Sequence, residues 1–214
     1  MNLIRVAVLG LSLLLVSACK PVPSAPIPQP TPQAIRAKQT LSVPRASTVK
    51  LVDASGNGFC SGVVFKKDKV LTAAHCDIGD IFVDGIKATV IKKDVVNDIM
   101  LLEVQTDRRP IALATFKLSL DQKLTVIGFP INSLMFKAIV TFGNFMGVEG
   151  NRLIMTAPIA PGNSGGPVFA TDNQGRYKVV GIAVEVAGSY YGIIPHLSRA
   201  VDLKTIKEFL RGQS

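Results

Sequence analysis

Tryptophan is absent from the 214-residue chain, histidine occurs twice and cysteine three times. Two histidines exclude a His-rich metal site. Three cysteines allow at most one internal pair and leave one thiol over. Charge is sparse as well: Asp, Glu, Lys and Arg make up 18% of the chain against 48% apolar residues, a balance that excludes a wholly disordered polypeptide. Acidic residues are the scarcer sign, 15 against 24 basic, so the formal net charge is +9. The length suits one ordinary domain or two very small ones, and excludes a large multidomain enzyme.

The missing acids are missing mostly from one place. Residues 1–19 carry one basic group, Arg5, and residues 20–50 carry Lys20, Arg36, Lys38, Arg45 and Lys50 with no acid. Residues 51–214 hold 18 basic and 15 acidic groups, a net of 18 − 15 = +3. The basic character therefore belongs to the N-terminal tail. A nucleic-acid-binding domain concentrates Lys and Arg on its folded part, so no nucleic-acid partner is expected. A solvated tail, or weak attraction to an anionic membrane surface, accounts for the charge.

The first residues have the order of an export signal. Met1–Arg5 is short and basic, Val6–Val16 is an apolar run broken by Gly10 and Ser12, and Ser17, Ala18 and Cys19 are small. The apolar run is too short for a permanent membrane span. Leu15-Val16-Ser17-Ala18-Cys19 resembles the lipobox of bacterial lipoproteins. That resemblance implies a signal peptide over 1–18, cleavage before Cys19, and a lipidated Cys19 that accounts for the odd thiol. Lys20 stands where an inner-membrane retention signal would place Asp, which leans toward the outer membrane of a Gram-negative envelope. Residues 20–32 then hold six prolines in 13 positions. Spacing this dense excludes helix and central strand, and predicts an extended spacer over 19–44 between anchor and domain.

From residue 45 to 214 a single folded domain is expected. Short Val/Ile-rich runs, among them Thr48–Val52, Gly62–Lys66, Lys69–Thr72, Asp80–Val83, Lys87–Ile91, Ile99–Val104, Lys123–Ile127, Met135–Thr141, Arg152–Thr156, Pro167–Ala170 and Val179–Val186, alternate with turn signals such as Asp84-Gly85 and Glu149-Gly150-Asn151. The pattern predicts an all-β sandwich or barrel. Only Asp202–Arg211 reads as helix, with Val201, Leu203, Ile206, Phe209 and Leu210 on one face.

Three motifs carry reactive residues: Thr72-Ala73-Ala74-His75-Cys76, Asn97-Asp98-Ile99-Met100-Leu101-Leu102 and Gly162-Asn163-Ser164-Gly165-Gly166-Pro167. Together, in the order His, Asp, Ser, they resemble the trypsin/chymotrypsin-like serine proteases over about residues 45–212. The resemblance implies two six-stranded antiparallel β-barrels of chymotrypsin type with a short C-terminal helix. It also implies an endopeptidase acting on protein or peptide substrates, without metal or other cofactor and as a monomer. A serine hydroxyl is a weak nucleophile at neutral pH and needs a base within reach. By the resemblance, His75 takes the Ser164 proton, Asp98 orients the ring, and the backbone N–H groups of Gly162 and Ser164 form the oxyanion hole. Asp94, four residues before Asp98, is the other carboxylate available for the orienting role. Cys60 and Cys76 match a family disulfide that pins the histidine loop, one that an exported protein can keep oxidised. The form Gly-Asn-Ser-Gly is most similar to minimal bacterial members, of the high-temperature-requirement and glutamyl-endopeptidase kinds. Asn163 replaces the Asp that in zymogen-type members receives a new N-terminus, so no activation cleavage is expected. No acid stands near Pro158, where an Arg/Lys-selective pocket would have one, so an apolar or small side chain is the expected preference.

Two rival readings are open at this level. Gly162-Asn163-Ser164-Gly165-Gly166 also fits the Gly-x-Ser-x-Gly elbow of α/β-hydrolases, with Asp172 and His196 as partners. That elbow needs a following helix, and Pro167-Val168-Phe169 reads as strand. The other rival is a catalytically silent protease-like module kept for binding at the cell envelope.

Overall fold

The computed structural model describes residues 41–56, 60–77, 79–130, 137–189 and 192–212. The signal segment, Cys19 and nearly all of the Pro-rich spacer lie outside the described residues.

The chain folds as two β-halves joined in sequence. A short helix, α1 (Ser42–Ser47), leads into β1 (Thr48–Val52), β2 (Cys60–Lys66) and β3 (Lys69–Thr72). One 3-10 turn, Ala74–Cys76, follows, then β4 (Phe82–Val83), β5 (Ile86–Lys87), β6 (Thr89–Asp94) and β7 (Ile99–Glu103). These seven strands form one antiparallel sheet in the order β5-β4-β1-β2-β3-β7-β6. The second half contains β8 (Lys123–Gly128), β9 (Ile139–Glu149), β10 (Arg152–Met155), β11 (Pro167–Thr171), β12 (Tyr177–Ser189) and β13 (Gly192–Asp202). It closes into a six-stranded barrel, β10-β13-β12-β11-β8-β9, and the helix α2 (Leu203–Phe209) follows.

Two barrel-like halves and a C-terminal helix match the expected architecture. The first half differs in count, with seven strands where six were expected. Asp84 and Gly85 have φ 47° and 89°, the two positive values of a tight hairpin turn, and they split the Phe82–Lys87 stretch into two-residue strands. The expected strand Lys87–Ile91 is accordingly broken at Ala88, which is buried between β5 and β6. Sequence also underestimated β9, which runs on from Thr141 to Glu149, and missed β13 and α1. Residues 135 and 136 of the expected strand lie outside the described residues.

Packing explains which strands are central. Ile99, Met100, Leu101 and Leu102 of β7 are all fully or nearly fully buried, as a strand covered on both faces requires. β6 carries Lys92 and Lys93 and sits at the sheet edge, where charged side chains discourage pairing with another chain. One hydrophobic cluster fills the first half and extends through Ile127, Phe169, Ile182 and Val201 into the contact between halves; a second, around Leu124, Met155 and Val168, fills the closed barrel.

The junction is sealed by glycine and one buried serine. Ser61, fully buried in β2, donates its N–H to the Ser164 carbonyl (2.8 Å) and its hydroxyl to the Gly162 carbonyl (2.7 Å). The same hydroxyl accepts from Phe129 N–H at 2.8 Å, and the Ser61 carbonyl accepts from the Thr72 hydroxyl at 2.8 Å. Gly165 passes so close to this group that a Cβ would lie 2.1 Å from Thr72 Oγ1 and 2.3 Å from the Ser61 carbonyl, and its φ is +80°. Gly165→Ala is therefore expected to lower unfolding free energy by at least ~3 kcal/mol, through overlap and backbone strain together. Urea denaturation measures it; a loss below ~1 kcal/mol, the range of an unremarkable substitution, would contradict the packing described.

Candidate active site

The three motif residues arrive from both halves. His75 lies in the 3-10 turn that ends β3, a turn held by the disulfide between Cys60 and Cys76, whose Cα atoms are 6.0 Å apart. The Cys76 sulfur packs 3.6 Å from the Ser164 carbonyl oxygen, so the histidine turn abuts the serine loop. Asp98 ends the turn between β6 and β7 with φ 55°, a left-handed value that Asp adopts more readily than most residues. Ser164 lies in the loop between β10 and β11.

His75 and Asp98 are joined by several bonds. His75 Nδ1 is 2.8 Å from Asp98 Oδ2 and 3.1 Å from Oδ1, and the His75 backbone N–H donates to Oδ1 at 3.0 Å. This fixes the ring's position and makes Nδ1 the protonated nitrogen of the neutral tautomer. Nε2 takes no protein partner among the described residues. Asp94 is taken up elsewhere: its carboxylate accepts from the Asn97 backbone N–H (2.9 Å) and side-chain amide (2.7 Å), building the turn that presents Asp98.

The pair also sets its own protonation. The hydrogen bond to Asp98 raises the His75 pKa above its ordinary 6.5; burial opposes the shift, and the Asp98 and Glu185 charges support it. For Asp98, burial pushes the carboxyl upward, but the bonds from the His75 ring and backbone N–H outweigh it and leave the pKa below the ordinary 3.8. At neutral pH Asp98 is a carboxylate beside a ring poised to accept a proton.

The serine loop is a tight frame. Asn163 N–H donates to the Ala160 carbonyl at 2.9 Å, closing a turn in which Pro161 and Gly162 (φ 97°) occupy the central positions, as in a type II turn. Gly165 N–H and Ala183 carbonyl (2.7 Å), and Ala183 N–H and Gly166 carbonyl (2.8 Å), tie the loop to β12. The backbone N–H groups of Gly162 and Ser164 have no acceptor among the described residues. The Ser164 hydroxyl donates to the Val184 carbonyl at 3.3 Å, and no hydrogen bond joins it to His75 among the described residues. Asn163 is 4% exposed and its Oδ1 has no partner among the described residues.

The trypsin-like peptidase domain matches residues 60–182. The chain belongs to that family. The family segment takes in the disulfide, the His75 turn, Asp98 and Ser164. Solved structures share the fold. The inactive form of the Rv3671c protease superposes with TM-score 0.66 at 20% identity, covering 87% of this chain and 98% of that one. The serine endoprotease of Yersinia pestis gives 0.67 at 21%, covering 82% and 67%, and the HtrA-type protease AlgW with tripeptide gives 0.66 at 21%, covering 80% and 61%. An uncharacterized protein, y4bJ, of Sinorhizobium fredii is 28% identical over 172 residues, and this chain spans about a quarter (25%) of its length.

The remaining expected residues separate. Asp172 closes the β11–β12 hairpin on Arg176, with carboxylate–guanidinium distances of 2.9 Å. His196 lies in β13 with φ 65°. Ser164 is followed by strand β11, not by a helix, so the nucleophile-elbow reading is overturned. Cys60, His75 and Cys76 place their ligand atoms within 4.8 Å of one another, but both sulfurs are joined in the disulfide, which leaves no thiolate for a metal. Ala183–Val186, bonded to the serine loop through Ala183, belong to β12, while residues 190 and 191 lie outside the described residues.

Sequence reasoning missed Ser61, and placed Glu185 only as a side chain that could intrude on the specificity pocket, not as a charge acting on His75. Ser61 holds both the Gly162 and Ser164 carbonyls, yet a serine inside a Cys60–Val64 run carries no motif. Glu185 follows Val184 on β12 and reaches Arg199 (3.7 Å) and Arg152 (3.9 Å), whose guanidinium also donates to the Asn97 carbonyl at 3.1 Å. It places negative charge beside the His75 ring.

Proposed function

We propose that the protein is a serine endopeptidase, exported and held at the cell envelope by lipidated Cys19, that cleaves protein or peptide substrates through Ser164, His75 and Asp98. The observation that carries the reading is the His75–Asp98 pair, with Nδ1 fixed on the carboxylate in a turn that packs on the Ser164 loop through Cys76. In this mechanism the Ser164 hydroxyl turns from the Val184 carbonyl to His75 Nε2 and attacks the scissile carbonyl carbon. Its proton passes to Nε2 as the C–O bond forms. The developing oxyanion is received by the N–H groups of Gly162 and Ser164. The imidazolium, stabilised by Asp98, returns the proton to the departing amine, giving an acyl-enzyme. Water, deprotonated by the same ring, attacks the ester and releases the acid, which restores Ser164.

The silent-module reading rests on one observation, the Ser164 hydroxyl held on Val184 and not on His75. Such catalytic contacts often form only with substrate bound.

The raised His75 pKa gives a pH test. Only the neutral ring accepts the Ser164 proton, so kcat/KM is expected to rise with pH along a limb centred above 6.5. The stability contribution runs the other way. A raised folded-state pKa favours the folded chain fully below 6.5, and the benefit disappears as pH rises through the folded value. Activity and this part of stability therefore change in opposite directions. A limb at or below 6.5 would contradict the His75–Asp98 pairing as described.

Tethering has its own test. Cys19→Ser is expected to move the protein from membranes to the soluble exported fraction, because stable attachment needs a multiply acylated residue. Mass spectrometry of the mature N-terminus decides: an unmodified Cys19, or cleavage elsewhere, defeats the anchor proposal.

A further inference from the structure

Away from His75, Asp98 and Ser164, a cavity of about 600 Å³ opens between the inter-barrel segment 115–118, the barrel wall and α2. Its floor is apolar: Phe145, Leu153 and Val180 are buried there, Phe116 and Leu118 pack beside them, and Val148 stands exposed at the lip. The volume and apolar lining fall in the range of small-ligand sites. Lys117, Lys204, Lys207 and Arg211 surround the opening, all exposed, and none forms an ion pair among the described residues. Two carboxylates also line it. Asp202 is engaged in capping α2, accepting from Thr205 N–H at 2.8 Å, and Glu208 is exposed at the rim. The opening is therefore net cationic over an apolar floor.

We propose that this cavity binds a single amphiphilic anion: a fatty acid, its acyl chain against the part-exposed Phe116, Leu118 and Leu203 and the exposed Val148, over the buried Phe145, Leu153 and Val180, and its carboxylate among the lysines. Two features argue for this occupant over a polypeptide. The wall belongs to a closed barrel whose strands are paired on both sides, so it offers no free edge on which a peptide backbone can form main-chain hydrogen bonds. The chain's own segment before the folded domain, residues 20–40, carries Lys20, Arg36 and Lys38 and no acid, and like charge opposes its docking against this rim. An acyl anion asks for no backbone pairing and complements the charge. The proposal stands independently of peptidase activity.

Displacement of dansyl-undecanoate from the purified full-length chain, carrying Ser164→Ala so that it stays intact, tests it. Laurate, kept monomeric below its micellar concentration, is expected to compete saturably at one site, and each added methylene to tighten binding about two- to fourfold. Dodecanol, with the same chain and no charge, is expected to bind at least tenfold more weakly. The double variant Lys204→Glu/Lys207→Glu, both positions exposed and so tolerant of replacement, is expected to weaken laurate at least tenfold while leaving dodecanol unchanged. Absence of saturable laurate binding, equal affinity for dodecanol, or an unaffected double variant would each overturn the assignment. Binding to anionic phosphatidylglycerol vesicles without binding monomeric laurate would overturn it too, and would make the face a membrane-contact surface.

Discussion

Ser164→Ala and His75→Ala are each expected to lower kcat on a cleaved peptide by on the order of 10⁶ while the protein stays folded, since nucleophile and base act as a unit. Folding should survive because neither side chain fills the core. The His75 side chain is 46% exposed, and the Ser164 hydroxyl makes one long bond, 3.3 Å to the Val184 carbonyl. The loop itself is held by its backbone through Ser61, Ala160 and Ala183, which neither substitution touches. Single-turnover kinetics with matched circular dichroism provides the measurement. Combining the two substitutions should add little to either alone. Activity that survives His75→Ala but is lost in His196→Ala would place the base on β13 and refute the assignment of His75.

Asp98→Asn comes next in size, with an expected fall in kcat of about 10⁴. The amide preserves shape. Its NH₂ group, however, cannot accept the Nδ1 proton as a carboxylate oxygen does, so the ring turns or adopts the wrong tautomer, and the imidazolium loses its counter-charge. The acidic limb should move down as well, because the hydrogen bond to Asp98 is the leading cause of the raised His75 pKa. Asp94→Asn is the control. Its carboxylate serves Asn97, so a modest loss of stability in the β6–β7 turn is expected, with kcat nearly unchanged. A large kcat loss in Asp94→Asn with little in Asp98→Asn would reverse the roles of the two carboxylates.

The strands that sequence delimits best are those whose burial repeats locally. Thr48–Val52 and Lys69–Thr72 are bounded in the structure as their composition predicts, and Asp84-Gly85 turns where that pair should. Glycine misled the reading of β9. Gly143 looks like punctuation, yet it sits mid-strand because a Cβ there would lie 2.1 Å from the Ala157 nitrogen, a close approach that only the folded barrel creates. β13 contains Pro195 and a left-handed His196, so no local rule favours strand; its pairing with β12 from Gly181 to Ser189 imposes it. In α1, Pro44 reads as a breaker, but it falls in the first turn, where its missing N–H has no helical partner to lose. The helix expected over Asp202–Arg211 is real but shorter, with Asp202 serving as its cap.

The candidate site was legible for a different reason. His75, Asp98 and Ser164 each sit in a short motif, and motifs survive without knowledge of packing. The supporting groups do not announce themselves. Ser61 acts through three bonds to residues far away in sequence, and the Val184 carbonyl is a backbone atom whose role depends on where β12 lies. Glu185 reads from sequence as a side chain that could intrude on the pocket; its ion-pair partner emerges only when the β12–β13 register sets it opposite Arg199.

A fluorophosphonate active-site probe tests the central claim most directly, because it reports nucleophilicity at one oxygen and needs no substrate. The protein is expected to be labelled stoichiometrically, with peptide mapping placing the phosphonyl group on Ser164 and with labelling lost in His75→Ala. A folded, disulfide-bonded protein that remains unlabelled, or that labels at another residue, would contradict it.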